Sequence, residues 1–164
     1  MASYALVSVW RIEAPLRQVW EALCQTDKWP SWWPFVTSVE TISCGNDLGV
    51  DAVHRYAWET RLPYRLYFDL HTTRVKPMRL LEAEVNGDLQ GTGRCQLYQN
   101  GDLTTVRYEW NVSTRKLWMN FLAPVIRPIF TWNHHSVMKA GGEGLALQLR
   151  AHSFEFVEPD NVIS

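Results

Sequence analysis

The sequence predicts an α+β domain in which a curved antiparallel sheet of seven strands wraps around one long C-terminal helix, with two short helices closing an end. Three observations predict it. Residues from Phe35 to Val112 alternate apolar and polar in runs of about ten, separated by turn signals, as strands covered on one face do. The segment Lys116 to Arg150 instead repeats its apolar residues at helical spacing. Two short amphipathic or tryptophan-rich stretches lie between the first strand and the alternating runs.

Tyr4 to Ile12 alternates and opens the fold as a strand. Ala14-Pro15 then starts a helix with an apolar stripe of Leu16, Val19, Trp20 and Leu23, proline being harmless in a first turn that lacks hydrogen-bond partners anyway. In TDKWPSWWPF, Thr26 or Asp27 can cap a second short helix, and the clustered indoles are expected to plug one end of a core rather than form an exposed site. Turns fall at Gly45-Asn46-Asp47, Leu62-Pro63, Lys76-Pro77, Asn86-Gly87-Asp88 and Asn100-Gly101-Asp102, of which Asn100-Gly101 is the strongest hairpin signal.

Along the last helix Leu117, Phe121, Val125, Ile129, Trp132 and Ser136 form a stripe expected to face the core. A break is expected between Phe121 and Ile129, because Pro124 and Pro128 each remove a backbone donor and clash with the preceding turn. Gly141, Gly142 and Gly144 each cost about 1 kcal/mol relative to alanine in a helix interior, so either they permit a close approach to the sheet or the helix loosens there.

With 164 residues, 46% of them hydrophobic, the chain is read as one domain over 1–156 with a disordered tail over 157–164. A net charge of −1 without a run of like charge argues against a nucleic-acid partner. Cys24, Cys44 and Cys95 are odd in number and widely spaced, and no secretory signal opens the chain, so a cytoplasmic location with reduced thiols is expected. Leu117 to Met138 carries Arg127, two histidines and two prolines, so stable membrane insertion is not expected.

The order of elements resembles the Bet v 1-like or START-like (SRPBCC) superfamily, whose architecture is the helix-grip fold, and specifically its polyketide cyclase/dehydrase branch. The resemblance runs from Tyr4 to about Leu149. It rests on Ile12-x-Ala14-Pro15-x-x-x-Val19-Trp20, Trp29-Pro30-x-Trp32-Trp33-Pro34, Gly91-x-Gly93 and Trp132-Asn133-His134. It implies a deep, mostly apolar cavity between sheet and helix for a lipid, sterol, polyketide or aromatic compound. The superfamily mixes carriers, sensors and enzymes, and no catalytic motif of the branch is matched in this chain.

Nine Trp, six Tyr and six Phe supply surface for either a packed core or a pocket. On the strands the candidate ligand-binding residues are His54, Tyr56, Trp58, Phe68, Leu70, Tyr108 and Trp110. On the long helix they are Phe121, Trp132 and Ser136. Several are large side chains with polar tips, which need partners once buried and can orient a ligand. Asn133 and His134 are expected to make structural hydrogen bonds in preference to ligand contacts. No metal-ligand spacing, nucleotide loop or nucleophile elbow is present, so neither cofactor nor metal is expected. The leading reading is a binder of a small hydrophobic, aromatic or polycyclic molecule. The alternatives are a cyclase or dehydratase using His54 with a tyrosine as acid and base, and a protein-interaction module.

Overall fold

The structure, a computed structural model, describes residues 3–60, 64–150 and 154–157. Strand β1 (Ser3–Ile12) leads into helix α1 (Leu16–Cys24), a 3-10 turn over Thr26–Lys28 and the single-turn α2 (Trp29–Trp32). Then come β2 (Val36–Ser43), β3 (Val53–Glu59), β4 (Arg65–Lys76), β5 (Leu80–Gly87), β6 (Leu89–Asn100) and β7 (Leu103–Thr114). Helices α3 (Leu117–Phe121) and α4 (Ala123–Gln148) and a short β8 (Phe154–Val157) complete the chain.

The sheet is antiparallel throughout, in the order β2-β3-β4-β5-β6-β7-β1-β8. All seven expected strands are present. The eighth was not expected; it pairs Ile12 with Phe154 and Val9 with Val157, covering backbone groups that an edge β1 would leave bare. Val157 therefore belongs to a strand, while the rest of the expected tail and the Leu62-Pro63 turn lie outside the described residues. The Asn100-Gly101 hairpin forms as expected, with Gly101 at φ 61°. Asn46 secures the β2–β3 connection, its side-chain oxygen accepting from the backbone N–H of both Leu48 and Val50.

One face of the sheet packs on the interior and carries the residues the alternation assigned to it. Tyr56, Trp58, Leu66, Phe68, Val85, Cys95, Leu97, Val106, Tyr108 and Val112 are all buried. The opposite face is wet and bears ion pairs such as Arg55–Asp69 at 2.8 Å and Arg94–Glu82 at 3.3 Å.

The long helix corrects the sequence reading. Its break comes at Leu122 (φ −95°, ψ 15°), between α3 and α4, inside the expected interval. The buried face, however, is Phe130, Val137, Met138, Leu145 and Ala146, not the expected stripe. Leu117, Phe121 and Val125 are 85%, 87% and 65% exposed, and Trp132 is 51% exposed. The helix is apolar on two opposite sides, so helical spacing alone selects two candidate faces, and packing decides between them.

The C-terminal half of α4 packs on the tryptophan segment over 29–33 and on β1. Trp33 donates its indole N–H to the carbonyl of Val137 at 2.8 Å, and Trp10 donates to Met138 at 2.9 Å. In an α-helix those carbonyls also serve the N–H groups of residues 141 and 142. An indole reaches them only if the residue one turn on is small. A Cβ on Gly141 would stand 2.4 Å from the Trp33 ring, and one on Gly144 would stand 1.7 Å from the backbone oxygen of Trp32. Gly141 and Gly144 thus permit a close approach to the tryptophan segment, beside the contact of α4 with β1 of the sheet. Trp29, Trp32 and Trp33 are at most 8% exposed and form the plug expected of them.

Candidate functional site

Among the described residues, two cavities on the covered face of the sheet stand out. The outer one, about 490 Å³, is floored by β3 to β7 and bounded by α1, the 3-10 turn and the loop over 44–49. Its floor follows from strand register. Thr72, Ala83, Gly93 and Trp110 form one cross-strand row and Leu81, Cys95 and Tyr108 another, so each row runs through smaller residues to an aromatic side chain on β7. No residue of α4 lines this cavity. The expected site between sheet and C-terminal helix is instead a much smaller inner cavity, about 50 Å³, lined by Trp58, Phe68, Trp110, Phe130, Asn133 and His134 among others. Trp110 lines both.

Of the ten candidate residues, His54, Tyr56, Leu70, Tyr108 and Trp110 line the outer cavity, and Trp58 and Phe68 join Trp110 at the inner one. Phe121, Trp132 and Ser136 line neither. Phe121 and Trp132 turn to the exterior with the rest of their stripe, and the Ser136 hydroxyl donates back to the Trp132 carbonyl at 3.1 Å, a local bond within the helix.

Sequence reasoning did not propose several wall residues. Leu23, Thr26 and Trp29 arrive from the short helices, and all three cysteines, Cys24, Cys44 and Cys95, stand around the outer cavity. The cysteines are far apart in sequence and carry no motif, so only the fold brings them together. Among the described residues no group of three or more His, Cys, Asp or Glu side chains is arranged to hold a metal ion.

Electrostatically the site is a place for neutral groups. Burial pushes the Tyr56 and Tyr108 hydroxyls up from their ordinary values, so both hold their protons at neutral pH. Burial likewise pushes the Cys95 thiol up to about 12, which makes it a poor nucleophile, while the thiol of the exposed Cys24 is raised by partial desolvation and by the nearby Glu21. His54 is lowered, mainly by desolvation with a smaller opposing pull from Asp27, so it is a neutral imidazole at pH 7. His134 is lowered to about 3, first by burial and then by neighbouring His135; its Nε2 sits 3.5 Å from the Ser8 hydroxyl.

Three residues that line the inner cavity carry polar atoms without protein partners. The indole nitrogens of Trp58 and Trp110 and the side-chain oxygen Oδ1 of Asn133 are buried without a hydrogen bond, and each residue lines that cavity. Leaving such a group unpaired costs about 1–3 kcal/mol. Two unpaired N–H donors and one unpaired acceptor thus belong to residues that line one small cavity. The Tyr108 hydroxyl is also without an oxygen or nitrogen partner, on the wall of the outer cavity.

Solved structures share this architecture. The Zhui aromatase/cyclase from Streptomyces sp. R1128 superposes with a TM-score of 0.75 at 13% identity, over 91% of this chain and 94% of that one. A START superfamily protein from Mycobacterium smegmatis gives 0.72 at 14% identity, over 89% and 97%. The di-domain ARO/CYC BexL from the BE-7585A biosynthetic pathway gives 0.71 at 17% identity, over 92% of this chain and 51% of that one. At these identities the likeness is one of fold. No curated protein matches the sequence. The sequence pattern of the family described as polyketide cyclase / dehydrase and lipid transport matches residues 12–138, and the chain belongs to that family.

Proposed function

We propose that the protein binds a small, mostly apolar molecule, aromatic or polycyclic and bearing an oxygen, as a carrier or sensor. The ligand body occupies the outer cavity and its oxygen accepts hydrogen bonds from the indoles at the inner one. The observation that carries this reading is the pair of unpaired indole donors, Trp58 and Trp110, on a cavity adjoining a space of about 490 Å³. That volume falls in the range of about 300–1,000 Å³ typical of small-molecule sites.

A matched pair of probes tests it. 2-Acetylnaphthalene and 2-ethylnaphthalene have nearly the same shape, and only the first carries a carbonyl acceptor. Trp110→Phe keeps an aromatic ring and removes the donor. It should weaken the ketone by roughly tenfold, the worth of one hydrogen bond, and leave the hydrocarbon nearly unchanged. Ala83→Trp, which fills the outer cavity from β5, should weaken both probes with little change in melting temperature. Equal loss of both probes in Trp110→Phe would remove the polar socket from the proposal, and undiminished binding in Ala83→Trp would move the ligand elsewhere.

A second reading, a cyclase or dehydratase acting on a polyketide-like substrate, is favoured by the placing of a neutral His54 on the same wall as the protonated Tyr56 and Tyr108. The imidazole can accept a proton and a tyrosine can polarise a carbonyl. On this reading His54→Ala abolishes turnover of a poly-β-ketone substrate mimic while probe binding persists. Binding of that mimic by the parent protein without any product formation would reject it.

A further inference from the structure

One side chain borders both cavities. Among the described residues Trp110 alone lines the outer space of about 490 Å³ and the inner one of about 50 Å³. It projects from β7, and its ring meets that of Phe68 edge-on, with centroids 6.3 Å apart. Phe68 stands on β4, with β5 and β6 between the two strands. Neighbouring strands lie about 4.8 Å apart, so the rings meet only by reaching over β5 and β6 along the covered face.

A bridge of this kind needs small residues beneath it. In the register Trp110 stands opposite Gly93 on β6, and Gly93 opposite Ala83 on β5. A Cβ on Gly93 would sit 3.4 to 3.7 Å from Cζ3, Cε3 and Cη2, one edge of the six-membered ring of the indole. The ring therefore rests against the glycine, and a long side chain there would displace it. Gly93 and Ala83 are walls of the outer cavity, whereas Phe68 is a wall of the inner one. The indole thus touches the wall of one cavity at its six-membered ring and meets the wall of the other at Phe68. Its five-membered ring carries Nε1, which is buried without a partner although the residue as a whole is only half-buried. Trp10 and Trp33, by contrast, are at most 1% exposed and donate their indole N–H to the carbonyls of Met138 and Val137. Those two are packed into the core, and Trp110 is a divider bordered by open space.

We infer that Trp110 sets the length of ligand the protein accepts. Its indole ends the outer cavity, and a smaller side chain at this position joins the inner cavity to it. The added space continues the apolar wall through Leu6, Leu66, Leu89, Val112 and Phe130, so it takes a further hydrocarbon or aromatic segment of the same ligand. This rests on the reading of the outer cavity as the ligand site and adds a size limit to it.

Two ketones of different length test the limit by equilibrium dialysis. 2-Acetylnaphthalene and 4-acetyl-p-terphenyl carry the same acetyl group, so a lost hydrogen bond weakens both alike and cancels in the ratio of their dissociation constants. In Trp110→Ala the ratio of terphenyl to naphthalene should fall at least roughly tenfold, because the longer probe gains apolar burial that the shorter one does not need. Trp110→Leu removes the ring but keeps an apolar side chain, which protects the fold, and should shift the ratio the same way by a smaller factor. Trp110→Phe keeps a ring beside Gly93 and should hold the ratio near that of the parent. Melting temperatures show which variants are folded. An unchanged ratio in folded Trp110→Ala or Trp110→Leu overturns the size limit and leaves the cavity reading in place. A ratio that falls as far in Trp110→Phe as in Trp110→Ala overturns it too, since the ring would then not be the barrier. Failure of the parent to bind 2-acetylnaphthalene overturns the cavity reading itself, and the size limit with it.

Discussion

Gly144→Ala lowers the stability of the protein by about 3 kcal/mol or more, although alanine is the better helix former by about 1 kcal/mol. The sign is set by distance. The added methyl would lie 1.7 Å from the Trp32 carbonyl oxygen and 2.9 Å from its carbonyl carbon, and backbone in a single-turn helix pinned by Trp29, Trp32 and Trp33 has little room to withdraw. Gly141→Ala presses on the Trp33 ring at 2.4 to 2.7 Å. It should also cost about 2–3 kcal/mol, because moving that ring breaks its hydrogen bond to Val137. For a chain of this size about 3 kcal/mol corresponds to a fall of roughly 6–12 °C in melting temperature. Leu147→Ala, on a side chain 79% exposed, is the control and should move it little. Urea denaturation of the three variants decides the matter. A Gly144→Ala protein as stable as its parent would mean that α2 and α4 do not approach closely in solution.

The contrast between sheet and helix explains which features were legible in the sequence. A strand has a period of two, so alternation offers two faces, and the wet face identifies itself by its charge: Arg55, Glu59, Asp69, Glu82 and Arg94 left no choice for Tyr56, Phe68 or Tyr108. The floor of the outer cavity was readable for that reason. The helix has few charges, and its apolar residues lie on two sides. Phe121, Val125 and Ile129 present as regular a stripe as Phe130, Val137 and Leu145 do. What distinguishes the sides is a set of long-range partners: Tyr4, whose ring packs 4.2 Å from that of Phe130, and Trp10 and Trp33, which bond the carbonyls of Met138 and Val137. None of these is encoded by local spacing. The cavity's remaining walls were hidden for a related reason. The loop over 44–49 and the end of α1 reach the site through tertiary placement, and Cys24, Cys44 and Cys95 come to line one cavity without any sequence motif. Asn133 and His134 were noticed, with structural bonds as the expected role. His134 does lie beside Ser8 at 3.5 Å, whereas the Asn133 oxygen is left unpaired.

Acid weakens the protein through His134. The ring extends from α4 towards β1, with the Ser8 hydroxyl near its Nε2 and with His135, not a carboxylate, as its titratable neighbour, so no opposite charge offsets the cost of desolvating the charged form. Its folded-state value is about 3, against an ordinary 6.5 in the unfolded chain. At pH 7 the folded group is neutral and the unfolded one mostly so, and the pH dependence from this group is small. As pH falls through 6.5 the unfolded chain takes up a proton that the folded one refuses, and stability declines until the folded value is reached. Between pH 6.5 and 4.5 the loss from this group is about 2–3 kcal/mol, at roughly 1.4 kcal/mol per unit. The lowered His54 adds to it with the same sign. His134→Gln keeps a neutral hydrogen-bonding side chain beside Ser8 and removes the titration. Chemical denaturation of parent and variant at pH 7.0, 6.0, 5.0 and 4.5, values that bracket the ordinary histidine range, should show the parent falling more steeply by about that amount. Carboxylates common to both proteins cancel in the comparison. Parallel slopes would mean that His134 is charged in the folded protein, and an acceptor facing it would then have to be found on β1 or within α4.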